Sequence, residues 1–272
     1  MTSRIVATLM ILLCTVSVEW ARAEPFPSTY QPVASAPVLI ENATVLTVTG
    51  ELIDGGSILL ENGRITALGS PDKPIERRDG FTVIDASGRW VTPGLIDVHS
   101  HLGVYASPGV KAHSDGNEAT APVTAEVWAE HSVWPQDPGF SRALAGGITS
   151  LQILPGSGNL IGGRGVTLKN VYSNSYQGMK FPGAPHGLKM ACGENPKRVY
   201  GSKNRAPSTR MGNVAGYRAH WIEAQRYLEE MDEANSRKKS KKDDKNGKPP
   251  ERDLKLETLA GVLKGEILVH MH

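Results

Sequence analysis

Cysteine is scarce in this chain. Two occur in 272 residues, Cys14 and Cys192, and the first lies in an N-terminal apolar stretch, so no disulfide framework is expected to staple the fold. A surplus of charge is also missing. Thirty basic residues face 28 acidic ones, a formal net charge of +2, which gives no reason to expect nucleic acid as a partner. One long apolar run stands out: Arg4 precedes Ile5 to Val18, interrupted by Thr8, Thr15 and Ser17. It is shorter than the roughly 20 residues of a membrane span. Ala21-Arg22-Ala23 then puts small residues at the two positions a signal peptidase reads. Residues 1–23 are expected to be a cleaved signal peptide, with Glu24 first in an exported, periplasmic or secreted protein and no stable membrane anchor. A retained N-terminal anchor is the alternative, while Leu13 before Cys14 fits a lipoprotein site poorly. Loss of the leader removes Cys14 and leaves Cys192, which is expected to pack beside the strand it follows.

The rest divides by pattern. Residues 24–37, rich in Pro and Ser, read as a lead-in linker. Residues 38–92 read as β: Val38–Ile40 and Thr44–Val48 are apolar and β-branched, Ser57–Leu60 and Arg64–Leu68 flank an Asn62-Gly63 hairpin turn, and Thr82–Ile84 and Arg89–Val91 flank Ala86-Ser87-Gly88. Together they predict a small antiparallel β-sandwich. From 93 to 272 strand and helix alternate, the mark of parallel βα units. Asp137-Pro138 opens a short helix ended by Gly146-Gly147; strands follow at Ile148–Leu154 and Leu188–Ala191, and Val166–Lys169 looks extended, as an excursion at the catalytic rim. A helix is predicted from Thr209 to Ala234, its apolar face formed by Met211, Val214, Tyr217, Trp221, Leu228 and Met231. A charged loop spans 235–252. Asp253 caps a last helix carrying Leu256, Leu259 and Leu263; Gly265 stops it, and Glu266–His272 is a strand.

The most informative segment is Thr92–Gly103, TPGLIDVHSHLG. Apolar residues Leu95, Ile96 and Val98 lead into His99-Ser-His101. Side chains two apart on a strand point the same way, so two imidazoles converge at the end of a buried strand. Such a pair suits a zinc-like cation, with Zn–N bonds of roughly 2.0–2.1 Å.

This segment resembles the first barrel strand of the amidohydrolase superfamily. Gly146–Gly165 (GGITSLQILPGSGNLIGGRG), Gly187–Gly201 (GLKMACGENPKRVYG) and Glu266–His272 (EILVHMH) resemble its imidazolonepropionase-like branch. The likeness runs from about Val38 to the last residue, with the motifs in order. It implies an α/β fold, a metal-dependent (β/α)8 TIM barrel beside the β-sandwich, and hydrolysis of a C–N bond in a small-molecule substrate by a metal-activated water. It implies metal ligation by His99, His101 and His270, the last on what resembles the fifth barrel strand. A further ligand is expected from Glu194, slightly favoured, or Lys189, whose carbamylated form implies two metals. Glu194 could instead pair with Lys197 or Arg198. The cofactor is expected to be one or two divalent ions, zinc foremost. A deaminase of the same superfamily, or a non-catalytic degenerate member, are the competing readings.

Substrate contacts are expected from His272, from Arg164 in the glycine-rich Pro155–Gly165, and from His113 or Glu118 in the loop after the first strand. That glycine-rich run lacks the Lys-Ser/Thr ending and the following helix of a phosphate loop. His131, His186 and His220 read as surface or helix residues. A full barrel takes roughly 250 residues, more than the chain offers after residue 93. About five strands are expected, making the chain a fragment, with a general acid/base Asp beyond His272; a half-barrel that closes by forming an oligomer is the alternative.

Overall fold

The computed structural model describes residues 24–239 and 251–272. The predicted leader, residues 1–23, and most of the charged loop lie outside the described residues. No helix among the described residues is long and apolar enough to cross a membrane.

The first sheet is built from β1 (Val38–Leu46), β2 (Leu52–Glu61), β3 (Arg64–Gly69), β4 (Thr82–Asp85) and β5 (Trp90–Val91), in the order β3-β2-β1-β4 with β5 also on β1. Asn62 and Gly63 both have positive φ, 52° and 72°, as a two-residue hairpin turn demands. The sheet is mixed rather than antiparallel, which corrects the expected antiparallel sandwich. β4 and β5 both run parallel to β1, one after the other along the same edge. The turn at Ala86-Ser87-Gly88 therefore does not make a hairpin. Asp85 accepts from the Ser87 N–H and hydroxyl, and the chain carries on in the same direction. Ala43, Val45, Ile58 and Ala86 form the small core of this unit.

The second sheet carries β6 (Leu95–Ser100), β7 (Ile148–Ile153), β8 (Ile161–Lys169), β9 (His186–Met190) and β10 (Ile267–Met271), in the order β10-β9-β8-β7-β6. The β6/β7 and β9/β10 pairs are parallel. β8 runs antiparallel to both of its neighbours, β7 and β9. The segment expected to be an excursion at the rim is thus a central strand of the wall. The reach from Leu154 to Ile161 is too short for a crossover helix, so the chain folds back and β8 pairs antiparallel with the strand it has just left. The five strands curl into a half-barrel. β6 and β10 lie at opposite edges of the sheet, yet the His99 and His272 rings stand 5.5 Å apart, centroid to centroid.

Among the described residues the α-helices are α1 (Pro138–Ala145), α2 (Tyr176–Met179), α3 (Glu194–Gly201), α4 (Arg210–Lys239) and α5 (Leu254–Leu263). The largest core packs α4 and α5 on the sheet, with Leu160, Ile161, Leu188 and Met190 meeting Ala224, Tyr227, Leu256 and Leu259. Tyr217, Trp221, Leu228 and Met231 pack against it as predicted. Met211 and Val214 do not, at 80% and 55% exposure. The inward stripe passes instead through Asn213, four residues before Tyr217, and its buried amide donates to the carbonyls of Cys192 and Gly193.

Caps behave as the sequence suggests. Asp253 accepts from the Leu256 N–H at the start of α5. Asp137 accepts from Gly139 at the start of α1, and also from the N–H groups of Gly103 and Ser107. This buried carboxylate therefore ties α1 to the loop that leaves β6. Asp137→Ala is expected to cost more than the ~1 kcal/mol of an ordinary cap, about 2 kcal/mol, because the buried Gly103 N–H is orphaned as well. The denaturation midpoint measures it.

The lead-in is not a free linker. Residues 24–30 lie against the second sheet unit. The Ser28 hydroxyl donates to the Lys180 carbonyl, Thr29 N–H to the Gln177 carbonyl, and Phe26 meets the edges of Trp128 and His131. Lys180 is buried at the centre of this contact. Its ammonium reaches Glu24 at 2.5 Å, Glu130 at 2.7 Å and the Phe26 carbonyl at 2.9 Å. Burial pushes the Glu24 carboxyl up, but hydrogen bonding and charge from Lys180 and His186 outweigh it and hold the group below its ordinary value. Lys180→Met would remove the ammonium that pairs with the buried Glu130. A loss of about 3–5 kcal/mol is expected, with partial recovery in Lys180→Met/Glu130→Gln, read from chemical denaturation.

Candidate metal centre

A bulge shapes the end of β6. The β6/β7 register slips between Asp97 and Ser100, and the Asp97 carboxylate accepts the His99 N–H at 3.1 Å. Bulges re-aim side chains, and here the two rings of His99 and His101 end edge to face, centroids 5.2 Å apart. The His101 Nδ1 lies 2.8 Å from the Leu154 carbonyl. A carbonyl can only accept, so Nδ1 carries the proton and Nε2 is left with its lone pair. The β7 terminus thereby fixes the tautomer that a metal ligand needs.

Lys189 comes from β9 on the far side of the sheet. It is 1% exposed, and its Nζ lies 2.8 Å from His99 Nε2. Burial, with no carboxylate to offset it, lowers its amine to about 8. Gly163 stands opposite Lys189 and Gly165 opposite Gly187 in the β8/β9 ladder. A Cβ on Gly163 would strike the Val127 carbonyl at 2.4 Å and one on Gly165 the Leu154 side chain at 2.5 Å, so these glycines let neighbouring loops pack against β8.

β10 adds two imidazoles. His270 pairs in register with Lys189, and its ring lies so close to Gly187 that a Cβ there would meet Nε2 at 3.0 Å. Among the described residues the buried His270 Nε2 has no hydrogen-bond partner, an orphan that a protein normally satisfies. His272 continues the ladder, its N–H bonding the Met190 carbonyl, and presents its ring to His99. Burial depresses His99, His101 and His270 below the ordinary imidazole value, and the Lys189 charge adds to the effect. Neutral imidazoles are the ligating form.

The structure thus brings together His99, His101, Lys189 and His272 by direct contact, with His270 beside Lys189. Four imidazoles, one orphaned nitrogen, one fixed tautomer and a lysine with a depressed pKa suit one or two divalent ions. The other candidates lie elsewhere. Glu194 begins α3, 63% exposed and 3.2 Å from Arg198; an acidic side chain in a first turn is favoured by the helix dipole, and this one does not reach the histidines. Arg164 pairs with Leu188, on the wall face opposite Lys189. Its guanidinium stacks over Trp128 at 4.3 Å and donates to Thr258 on α5. His113 bonds the Pro108 carbonyl and leans on Trp134, and Glu118 is exposed. His186 is neither a surface nor a helix residue: it opens β9 and bonds the Gly165 carbonyl and Glu24.

Among the described residues, the ligand atoms of Glu24, Glu130 and His186 converge within 4.8 Å of one another, closer than any three of the site imidazoles do. Lys180's ammonium already bonds both carboxylates there. Residues the sequence did not flag include Lys180, Trp128 and Tyr105, whose ring stands edge-on to His101 at 5.9 Å. A cavity of about 1000 Å³ lies around Trp128, Arg164 and Thr258 rather than at the histidines.

No protein-family profile matches the chain. It is 31% identical over 261 residues to amidohydrolase tasK of Hapsidospora irregularis, a match covering 87% of this chain and 26% of that protein. It is 30% identical over 115 residues to a 5-methylthioadenosine/S-adenosylhomocysteine deaminase of Bacillus cereus (strain AH820), covering 42% of this chain and 24% of the other. Among solved structures, the amidohydrolase from Thermotoga maritima MSB8 superposes with a TM-score of 0.72 and 40% identity, over 86% of this chain and 57% of that one. The chain thus spans about a quarter of these curated relatives and somewhat over half of the solved one.

Proposed function

The chain belongs to the amidohydrolase superfamily, and from that premise we propose that it forms the metal-holding half of an exported hydrolase acting on C–N bonds other than peptide bonds. The single observation that carries the reading is the meeting of His99, His101 and Lys189 at the mouth of the half-barrel, Nζ to Nε2 at 2.8 Å. Zinc, in one or two ions, is the metal the donor set favours. Residues 1–23, read as a signal peptide, support export.

His99, His101 and His270 would hold the ion, with Lys189 as amine or carbamate beside them. A divalent ion so held supplies Lewis acidity, polarising the substrate carbonyl and drawing the pKa of water down toward ~7. The chain's own groups set the conditions for that chemistry. The Leu154 carbonyl keeps the His101 proton on Nδ1. The Asp97 carboxylate fixes the backbone at His99. Gly187 admits the His270 ring close to the wall, and His272 lies at the same mouth, where a substrate would meet it. The general acid that protonates the leaving nitrogen is assigned to a further strand.

The curvature supports a full barrel. Four pairing steps separate β6 from β10, yet the His99 and His272 rings stand 5.5 Å apart across the interior, a curl that further strands would continue. The named Bacillus relatives support a second reading, a deaminase, in which the same centre attacks an amidine carbon. Metal analysis of the chain and of its His99→Ala/His101→Ala variant, with turnover of cyclic amides, N-acyl amino acids and dipeptides, tests the proposal. Equal metal and activity in the two would reject it.

A further inference from the structure

Tyr105 sits four residues after His101, on the loop that leaves β6, and its ring is 40% exposed beside that histidine. Two other loops hold it. Gly116 lies under the ring so closely that any Cβ there would overlap the phenol. Gly156 N–H donates to the Gly116 carbonyl at 2.7 Å, which joins the 114–118 loop to the one following β7. Asn117 fills the space between them. The Gly158 N–H donates to Asn117 Oδ1 at 3.1 Å, which decides the orientation of the amide. Its Nδ2 must therefore face Tyr105, and it donates to the phenol oxygen.

The consequence is one of donor counting. A phenol has one proton to give and lone pairs to receive with. Asn117 takes up a lone pair and leaves the proton. Among the described residues no acceptor for that proton is present. The arrangement differs from a tyrosine packed for structure, whose hydroxyl normally donates into the protein, as Tyr200 does with the Ala121 carbonyl and Asn159 Oδ1 both 2.6 Å away to share its one proton.

We propose that Tyr105 contacts substrate as a hydrogen-bond donor at the His99–His101 centre, its hydroxyl turned outward by Asn117. The substrates it fits carry an acceptor oxygen, carbonyl or carboxylate, next to the C–N bond. This inference rests on the hydrolase reading of the same centre. Two substitutions isolate the proton. Tyr105→Phe keeps the ring over Gly116 and removes the donor. Asn117→Asp keeps the phenol but supplies a carboxylate that captures its proton.

The probe is acetohydroxamate, a small metal-binding oxygen ligand, titrated calorimetrically into the zinc-loaded full chain. Tyr105→Phe and Asn117→Asp are each expected to weaken binding by about tenfold, the size of one lost hydrogen bond to a charged acceptor, with zinc content unchanged. Wild-type affinity in Tyr105→Phe with zinc retained overturns the inference and leaves the hydrolase reading standing. Failure of the unaltered chain to take up zinc overturns the hydrolase reading itself, and this inference with it.

Discussion

Replacing His99 and His101 together by alanine is expected to lower bound zinc from stoichiometric to less than about a tenth, and any C–N hydrolase activity by more than about 100-fold. The magnitude follows from position. Removing groups that merely orient a metal ligand already costs 10–100-fold in affinity or activity, and these two imidazoles are proposed as ligands themselves. The single variants should rank by preorganisation. His101, locked through Nδ1 to the Leu154 carbonyl, is expected to cost at least as much as His99, whose Nε2 must first exchange the Lys189 amine for the ion. Protons compete at the same nitrogens. Burial, aided by Lys189, sets His99, His101 and His270 below the ordinary imidazole value and so favours the neutral form. Zinc content should hold at neutral pH and fall as the pH drops through those depressed values. Atomic-emission metal analysis of dialysed protein across that range measures both effects. Zinc retained by the double variant would move the centre elsewhere.

Local chemistry was the readable part of this sequence. The His99-Ser-His101 pair, the Asn62-Gly63 turn and the Asp137 and Asp253 caps depend on neighbours within a few residues, and each stands where the pattern put it. Lys189 was readable for a related reason: a lysine inside the apolar run Leu188–Ala191 has nowhere to go but into the wall. Strand direction was not readable. Val166–Lys169 looked extended, but nothing in its alternation tells a rim excursion from a central antiparallel strand; the short reach back from Leu154 decides that. The β4 and β5 segments mislead in the same way, because a turn between two β-branched runs looks like a hairpin even when both runs lie along one edge of β1. Glu194 and Arg164 show the limit for side chains. Both sit near the motifs, but a helix start turns Glu194 outward beside Arg198, and the period-2 rule sends Arg164 to the face opposite Lys189. The Tyr105–Asn117–Gly158 relay joins two separate loops, and no spacing in the sequence signals it.

The apolar edges of the half-barrel lead to the other large expectation, self-association of the chain when it is prepared alone. Leu95, Ile96 and Val98 on β6 are 57%, 68% and 64% exposed, and Leu268, Val269 and Met271 on β10 are 51%, 46% and 52% exposed. Each row flanks a strand with one unpaired side, so apolar surface and free backbone donors and acceptors coincide. In a flat sheet β6 and β10 would stand roughly 19 Å apart, four steps of about 4.8 Å. Here the curl brings the two unpaired edges to the same gap, and the apolar side chains along them alternate between its inner and outer faces. Sedimentation velocity of the isolated chain should show species larger than a monomer at micromolar concentration. Placing lysine at Ile96 and Val269, both on the outer face, should shift the distribution toward monomer by charging both edges. The same substitutions leave His99, His101 and Lys189 in place, so zinc binding should survive them. A monodisperse monomer with both rows intact, its β6 and β10 amides strongly protected from hydrogen exchange, would mean that the edges are already covered and the arc argument is wrong.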